Sequence, residues 1–266
     1  MSALTITTIQ SDLKWEDKST NLLMFEKKIM SMNKQTQLVI LPEMFSTGFT
    51  MNTSTLAEEM NGATLEWMKR ICRKHTIILT GSIIIKENEG FYNRLIWMMP
   101  NGNYHFYDKR HLFAFAGENK FYRPGNNRLI TSVNGWRINL QICYDLRFPV
   151  WSRQQMNNNS EAEYDILIYV ANWPEKRNDA WKKLLCARAI ENQCYVIGVN
   201  RVGMDNNNIQ YSGNSMMIDP LGTILYHMEN EEDIHTKTLE KNHLAAIRNS
   251  FPFLSDADSF NIFKES

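Results

Sequence analysis

Apolar and polar positions along this chain follow two periods, and the switches between them mark its elements. Residues 4–10 are apolar and β-branched and predict a strand, whereas residues 18–32 carry Leu22, Leu23, Phe25, Ile29, Met30 and Met32 at helical spacing. The run QLVIL at 37–41 predicts a short buried strand, stopped by Pro42, which lacks the N–H a ladder needs. Residues 64–75 predict an amphipathic helix and residues 77–85 a strand. Residues 91–99 and 103–109 flank Asn101-Gly102, a strong hairpin signal because both positions tolerate positive φ. The second half repeats this grammar. It has strands at 136–143, 165–170 and 195–200, a helix at 179–193, and a hairpin whose arms, 215–219 and 223–226, flank Pro220-Leu221-Gly222. Residues 241–248 predict a late helix, and the polar stretches 157–163 and 204–209 read as surface loops. Strands alternating with helices imply an α/β fold, and the hairpins imply mixed rather than purely parallel sheets.

Composition narrows this picture. A chain of 266 residues, 43% of them apolar, can bury a large core, and no low-complexity linker divides it, so one domain over residues 1–266 is expected. The 29 basic and 29 acidic residues cancel, which removes any global electrostatic reason to expect nucleic acid or an anionic membrane as partner. The start MSALTITTIQSD lacks the features of a signal peptide, and no apolar run is long enough to span a bilayer. Cys72, Cys143, Cys186 and Cys194 show no Cys-x-x-Cys spacing and no histidine cluster accompanies them, so neither zinc nor a disulfide scaffold is expected. A cytoplasmic location follows as the expectation. The 15 methionines read as core filler.

Candidate chemistry comes from position. Glu43 follows one strand, Lys109 ends another and Cys143 ends a third. In open α/β sheets ligands bind at the carboxyl ends of strands, so three strands can deliver a carboxylate, an ammonium and a thiol to one crevice. Acyl transfer from an amide needs a nucleophile, a proton shuttle and an oxyanion stabiliser, and these groups fit the three roles, with Lys109 expected to favour the thiolate. For a lone cysteine the bland alternative is core packing, which is the expectation for Cys72, Cys186 and Cys194. Glu43 and Lys109 also have bland readings, as a solvated loop charge and a strand-edge charge.

The segments LVILPEMFSTGF (38–49), DKRHLFAFAGENKFYRPGN (108–126) and LQICYDLRFPVW (140–151) resemble the three signature segments of the nitrilase (carbon–nitrogen hydrolase) superfamily, and residues 170–203 resemble the stretch that follows its nucleophile strand. The resemblance runs from the first strand to about residue 226 and is nearest to the bacterial omega-amidase branch. It implies a four-layer α-β-β-α sandwich paired into homodimers. It also implies no cofactor and no metal, with Glu43 as general base, Lys109 on the oxyanion side, Cys143 as nucleophile and Glu118 as an additional glutamate. The implied reaction takes a small-molecule amide, the terminal amide of short 2-oxo-dicarboxylic acid monoamides such as 2-oxoglutaramate and 2-oxosuccinamate, to the 2-oxo acid and ammonia. Rival readings are a deaminated-glutathione or carbamoyl-amide amidase, a nitrilase, a redox thiol protein, and a non-catalytic interaction protein on the same fold. Tyr144, Asn172 and Trp173 follow strand ends and are candidates to bind substrate; core packing is an equal reading for Trp173, and a bond to the backbone turn is the alternative for Asn172. Arg110, Arg147 and Arg201 are candidates for the substrate carboxylate, with Arg147 inclined towards a role in the turn after the nucleophile. Asp145 is expected to cap that turn, His111 to make a structural hydrogen bond, and Arg188 to pair with Glu191.

Overall fold

The computed structural model describes residues 3–32, 35–156 and 161–263. In chain order the elements are β1 (Ala3–Gln10), α1 (Lys18–Met30), β2 (Leu38–Ile40), α2 (Thr53–Leu56), α3 (Ala63–His75), β3 (Ile78–Glu87), β4 (Gly90–Met98) and β5 (Tyr104–Asp108). The second half holds β6 (Leu129–Val133), β7 (Trp136–Ile142), α4 (Pro149–Ser152), β8 (Ile166–Val170), α5 (Asn178–Asn192) and β9 (Tyr195–Val199). It closes with β10 (Val202–Met204), β11 (Gln210–Ile218), β12 (Ile224–Glu229), β13 (Asp233–Glu240) and α6 (Lys241–Ser250).

Among the described residues the strands form two sheets, ordered β13-β1-β2-β3-β4-β5 and β10-β11-β9-β8-β7-β6, with β12 on β11. Each has a parallel trio at its centre, β1-β2-β3 in one and β7-β8-β9 in the other, with antiparallel strands outside. Both sheets are thus mixed, as the hairpins imply.

Period-two alternation sorts the side chains between layers. Leu38 and Ile40 of β2 and Leu95 and Trp97 of β4 join one core with Ile138 and Leu140 of β7 and Ile166 and Ile168 of β8. The residues between them, Val39, Ile96 and Met98, face the other way and pack with Phe25 and Ile29 of α1 and Leu65, Met68 and Ile71 of α3. On the second sheet, Trp181, Leu185 and Ala189 of α5 pack into the first core. Helices outside two facing sheets give the expected four layers, and the consequence for the site is that β2, β5, β7 and β8 end near one another.

Three strands are absent from the sequence reading. β13 carries only Ile234 and Leu239 among polar residues, so it gives no apolar alternation; it is held as an edge strand on β1, with threonine pairs Thr7–Thr236 at 2.8 Å and Thr5–Thr238 at 3.0 Å. β6 and the three-residue β10 are partly exposed, and β10 shortens the loop expected at 204–209 by its first residue. Residues 157–160 of the loop expected at 157–163 lie outside the described residues. No helix among the described residues is long and apolar enough to cross a membrane.

Leu140 is fully buried where the two sheets share their core. Leu140→Ala should cost about 2–5 kcal/mol, from lost transfer energy and the cavity left behind; urea unfolding of the two proteins gives the difference directly.

Candidate active site

Glu43 and Cys143 stand where a strand turns sharply. Met44, next to Glu43, has φ +43°, and Cys143 itself has φ +44°, in the left-handed region that a side chain with a Cβ rarely adopts. At Cys143 the chain leaves β7 and enters a 3₁₀ turn, Cys143–Arg147, so the thiol is lifted to the rim of the sheet instead of continuing the ladder. Lys109 follows β5 and is tied to β4 through its N–H, which donates to Asn93 O at 3.0 Å.

Beneath the pocket lies a buried charge cluster. Lys109 Nζ donates to Glu43 Oε1 at 2.9 Å and to Glu118 Oε2 and Oε1 at 3.0 and 3.1 Å, and all three side chains are at most 1% exposed. Asn93 Nδ2 donates to Glu43 Oε1 at 2.8 Å and reaches Glu118 Oε1 at 3.4 Å. The backbone N–H of Asn172 donates to Glu43 Oε2 at 2.8 Å, and Asn172 Nδ2 donates to Glu43 O at 2.5 Å. A carboxylate has four acceptor positions. On Glu43, Oε1 receives two donors and Oε2 one, which leaves one position on Oε2 for a proton. Glu118 Oε2 also accepts from Phe113 N at 2.5 Å, anchoring the loop that walls the pocket.

The ionisation pattern follows from this burial. Desolvation alone would lower Lys109, but the charges of Glu118, Glu43 and Cys143 outweigh it and hold the ammonium protonated. Burial pushes Glu118 up, Lys109 pulls it down and Glu43 pushes it back, for a net rise. Cys143 stands well above the ordinary thiol value; burial is the largest cause, followed by the charge of Glu43, against which Lys109 pulls in vain. Lys109 thus favours the thiolate as expected, but its ammonium is already engaged by two carboxylates, and burial and the charge of Glu43 outweigh it.

Above the cluster is a pocket bordered by Lys109, Cys143, Tyr144, Arg147, Asn172 and Trp173 together with Phe49, Phe113, Arg177 and Tyr211. The three substrate-binding candidates therefore lie around one space with the thiol and the ammonium. Trp173 meets both of its readings: it borders the pocket, and its ring packs 5.4 Å from that of Trp181. Of the three arginine candidates only Arg147 borders the pocket, its guanidinium 4.9 Å above the Trp173 ring. Arg201 is buried against Asp12, Leu13 O and Val202 O, and Arg110 bonds Asn126 and Gly125 O. Asp145 accepts from Ile142 N as the expected cap, His111 bonds Asp145, and Arg188 pairs with Glu191 at 3.0 Å while also donating to Leu146 O at 2.6 Å.

Sequence reasoning missed Asn93, Phe49, Phe113 and Arg177. Asn93 left one signal, an amide inside a strand where asparagine is disfavoured. Arg177 left none, since EKRN reads as a helix start; its guanidinium sits 5.0 Å above the Phe113 ring. Cys72 and Cys194 are fully buried in the apolar cores, as expected, and Cys186 is partly buried on α5. Among the described residues no group of three His, Cys, Asp or Glu side chains is arranged to hold a metal ion.

A model of the carbon–nitrogen hydrolase family matches residues 5–249. The chain is 41% identical over 261 residues to an omega-amidase of Yersinia enterocolitica, covering 98% of this chain and 99% of that one. It is 32% identical over 255 residues to a 2-oxoglutaramate amidase of Bacillus subtilis, covering 95% and 96%. Its backbone superposes with a TM-score of 0.97 on the crystal structure of a carbon–nitrogen hydrolase superfamily protein of Xanthomonas campestris that bears an arsenic adduct in its active site, at 40% identity and covering 99% and 100% of the two chains. The chain belongs to the carbon–nitrogen hydrolase family. Within it the likeness to omega-amidases expected from the motifs is borne out.

Burial also sets the alkaline limit of the fold. The thiols of Cys143, Cys72 and Cys194 are all raised by desolvation, that of Cys72 to about 12 from an ordinary 9.0. Above pH 9 the unfolded chain releases thiol protons that the folded chain keeps, so this contribution to stability is intact below that value and is lost as pH rises. Unfolding free energies from urea titrations should therefore fall from pH 8 to pH 10, and Cys72→Ala should flatten part of the slope.

Proposed function

We propose that the protein is a cysteine amidase that hydrolyses the terminal amide of short 2-oxo-dicarboxylic acid monoamides, 2-oxoglutaramate and 2-oxosuccinamate, to the 2-oxo acid and ammonia. The observation that carries this reading is the pairing of a reactive end with an anion-binding end in one small pocket. Cys143 and Lys109 border it, and so do the guanidiniums of Arg147 and Arg177, which rest on aromatic faces and pair with no carboxylate among the described residues. A guanidinium held over a ring keeps its N–H fork free for a planar carboxylate. The names of the Yersinia and Bacillus relatives support the same substrates.

In this reading the substrate carboxylate meets Arg147 or Arg177, and the amide carbonyl lies between Cys143 and Lys109. Tyr144, Asn172 and Trp173 wall the bound chain. Glu43 takes the thiol proton through its remaining acceptor position as sulfur attacks the carbonyl carbon. Negative charge thus passes to the carbonyl oxygen as the bond forms, so no free thiolate has to be held in the buried site beforehand. The oxyanion is stabilised by Lys109 and by the N–H of Tyr144, in the first turn of a 3₁₀ helix where such groups lack intrahelical partners. The carbon–nitrogen bond breaks as Glu43 returns its proton to nitrogen, ammonia leaves, and a thioester remains. Water then attacks, Glu43 accepts its proton, and collapse expels the thiolate, which recovers that proton as the acid departs. Glu118 holds Lys109 together with Glu43.

The same reading takes the chain as one hydrolase domain working in the cytoplasm as a homodimer. Four free thiols support a reducing compartment, and the exposed apolar residues Ile190, Leu221 and Ile224, close together beside α5, support pairing.

Ammonia release from 2-oxoglutaramate should be rapid in the wild type and reduced roughly 10⁴-fold or more in Cys143→Ala, because nucleophile and base act as a unit. Arg147→Met and Arg177→Met should raise KM for this anion more than for a neutral short amide. Asparagine, glutamine and a simple nitrile serve as comparison substrates. Cys143-dependent release from one of these alone would overturn the substrate, and silence on all would overturn the chemistry.

A further inference from the structure

We infer that Asp145 is a positioning residue that sets the distance between Cys143 and Lys109, acting through a buried hydrogen-bond clamp that touches neither substrate nor reacting atoms. The inference rests on the amidase reading of the site. Asp145 is fully buried and does not border the pocket. Its four acceptor positions are all filled. Oδ2 accepts from Tyr107 OH at 2.7 Å and from Ile142 N at 3.0 Å; Oδ1 accepts from His111 N at 2.9 Å and from His111 Nδ1 at 2.8 Å. A carboxylate only accepts, so the histidine nitrogen facing it carries the hydrogen.

The addresses of these donors carry the argument. Ile142 is the residue before Cys143. Tyr107 and His111 stand two residues before and two after Lys109. Tyr107 OH in turn accepts from Arg110 N at 3.1 Å and from Trp151 Nε1 at 2.9 Å, which extends the clamp to the residue directly after Lys109. His111 stacks on Phe148, at the end of the nucleophile turn, with ring centroids 3.8 Å apart. One carboxylate therefore joins the Tyr107 side chain before Lys109 and the His111 backbone after it to the backbone just before the thiol.

A turn that forces φ +44° on a cysteine persists only where its surroundings over-determine it. Asp145 is the side chain that does so from the Lys109 loop. Asparagine cannot satisfy the same set: with its amide nitrogen towards His111 the His111 backbone N–H faces a donor, and with it towards Tyr107 the Ile142 N–H does.

The test is Asp145→Asn, with Asp165→Asn as control. Asp165 is an equally buried carboxylate, held by Lys241 and Arg248 away from the pocket. In Asp145→Asn, kcat for the amide and the rate of Cys143 alkylation by iodoacetamide should both fall, by roughly 10- to 100-fold as expected for small displacements of reacting groups. KM should stay nearly unchanged, and Asp165→Asn at a matched folded fraction should keep both rates. Unchanged rates in Asp145→Asn, or equal losses in the two variants, would overturn the inference. Should Asp145→Asn not fold, Tyr107→Phe and His111→Ala each remove one donor; a fall in kcat without a rise in KM supports the clamp, and wild-type rates in both refute it. If the wild type turns over no amide while Asp145→Asn still slows alkylation, the amidase reading fails and the clamp stands.

Discussion

The ammonium of Lys109, enclosed by two carboxylates and nearly without solvent, is the constraint on which the site depends. Neither Glu43 nor Glu118 can remain charged in that interior without a cation, and a lone buried lysine would be equally costly. Removing one partner from such a cluster costs about 3–5 kcal/mol, because it strands the charges that remain. The cluster therefore fixes itself: Asn93 and the N–H of Asn172 complete the shell of Glu43, Phe113 N that of Glu118, and the pocket wall follows Glu118 into place. The chemistry proposed for Cys143 takes place above a floor whose hydrogen bonds and ion pairs are in place before any substrate arrives.

The fold makes that floor possible by ending strands of two sheets at one rim. Glu43 belongs to the first sheet and Cys143 to the second, and the bond from Asn172 N to Glu43 Oε2 crosses between them just past β8. The α5 helix is stitched to the turn at Cys143–Arg147 through Arg188 and Leu146 O. Packing and site are thus one structure, and the sandwich core holds the two sheets at the separation those bonds require.

Much of this was legible in the sequence because it is local. The strands at 4–10, 37–41 and 136–143 announce themselves by period and by punctuation such as Pro42, and Glu43, Lys109 and Cys143 each stand at the end of such a run. The parts that were not legible depend on register and on partners distant in sequence. Asn93 matters because β4 lies beside β5 and brings its amide over Glu43, fifty residues away. Arg177 matters because a 3₁₀ turn before α5 swings it over Phe113, a ring from another loop. The net balance at Cys143, where burial and Glu43 outweigh Lys109, was not legible for a similar reason. Proximity to a cation is visible in the motif, but prior engagement of that cation by two carboxylates is a property of the assembled site.

The left-handed backbone at Cys143 places stability and the proposed activity in opposition at a single position. A residue chosen only to relax that turn would be glycine, which adopts the conformation without a Cβ penalty but has no sulfur. Selection for thermostability by backbone idealisation would therefore remove the thiol proposed as nucleophile first, and a redesign of this scaffold that preserves it must draw its added stability from elsewhere, from surface, caps and loops far from the rim.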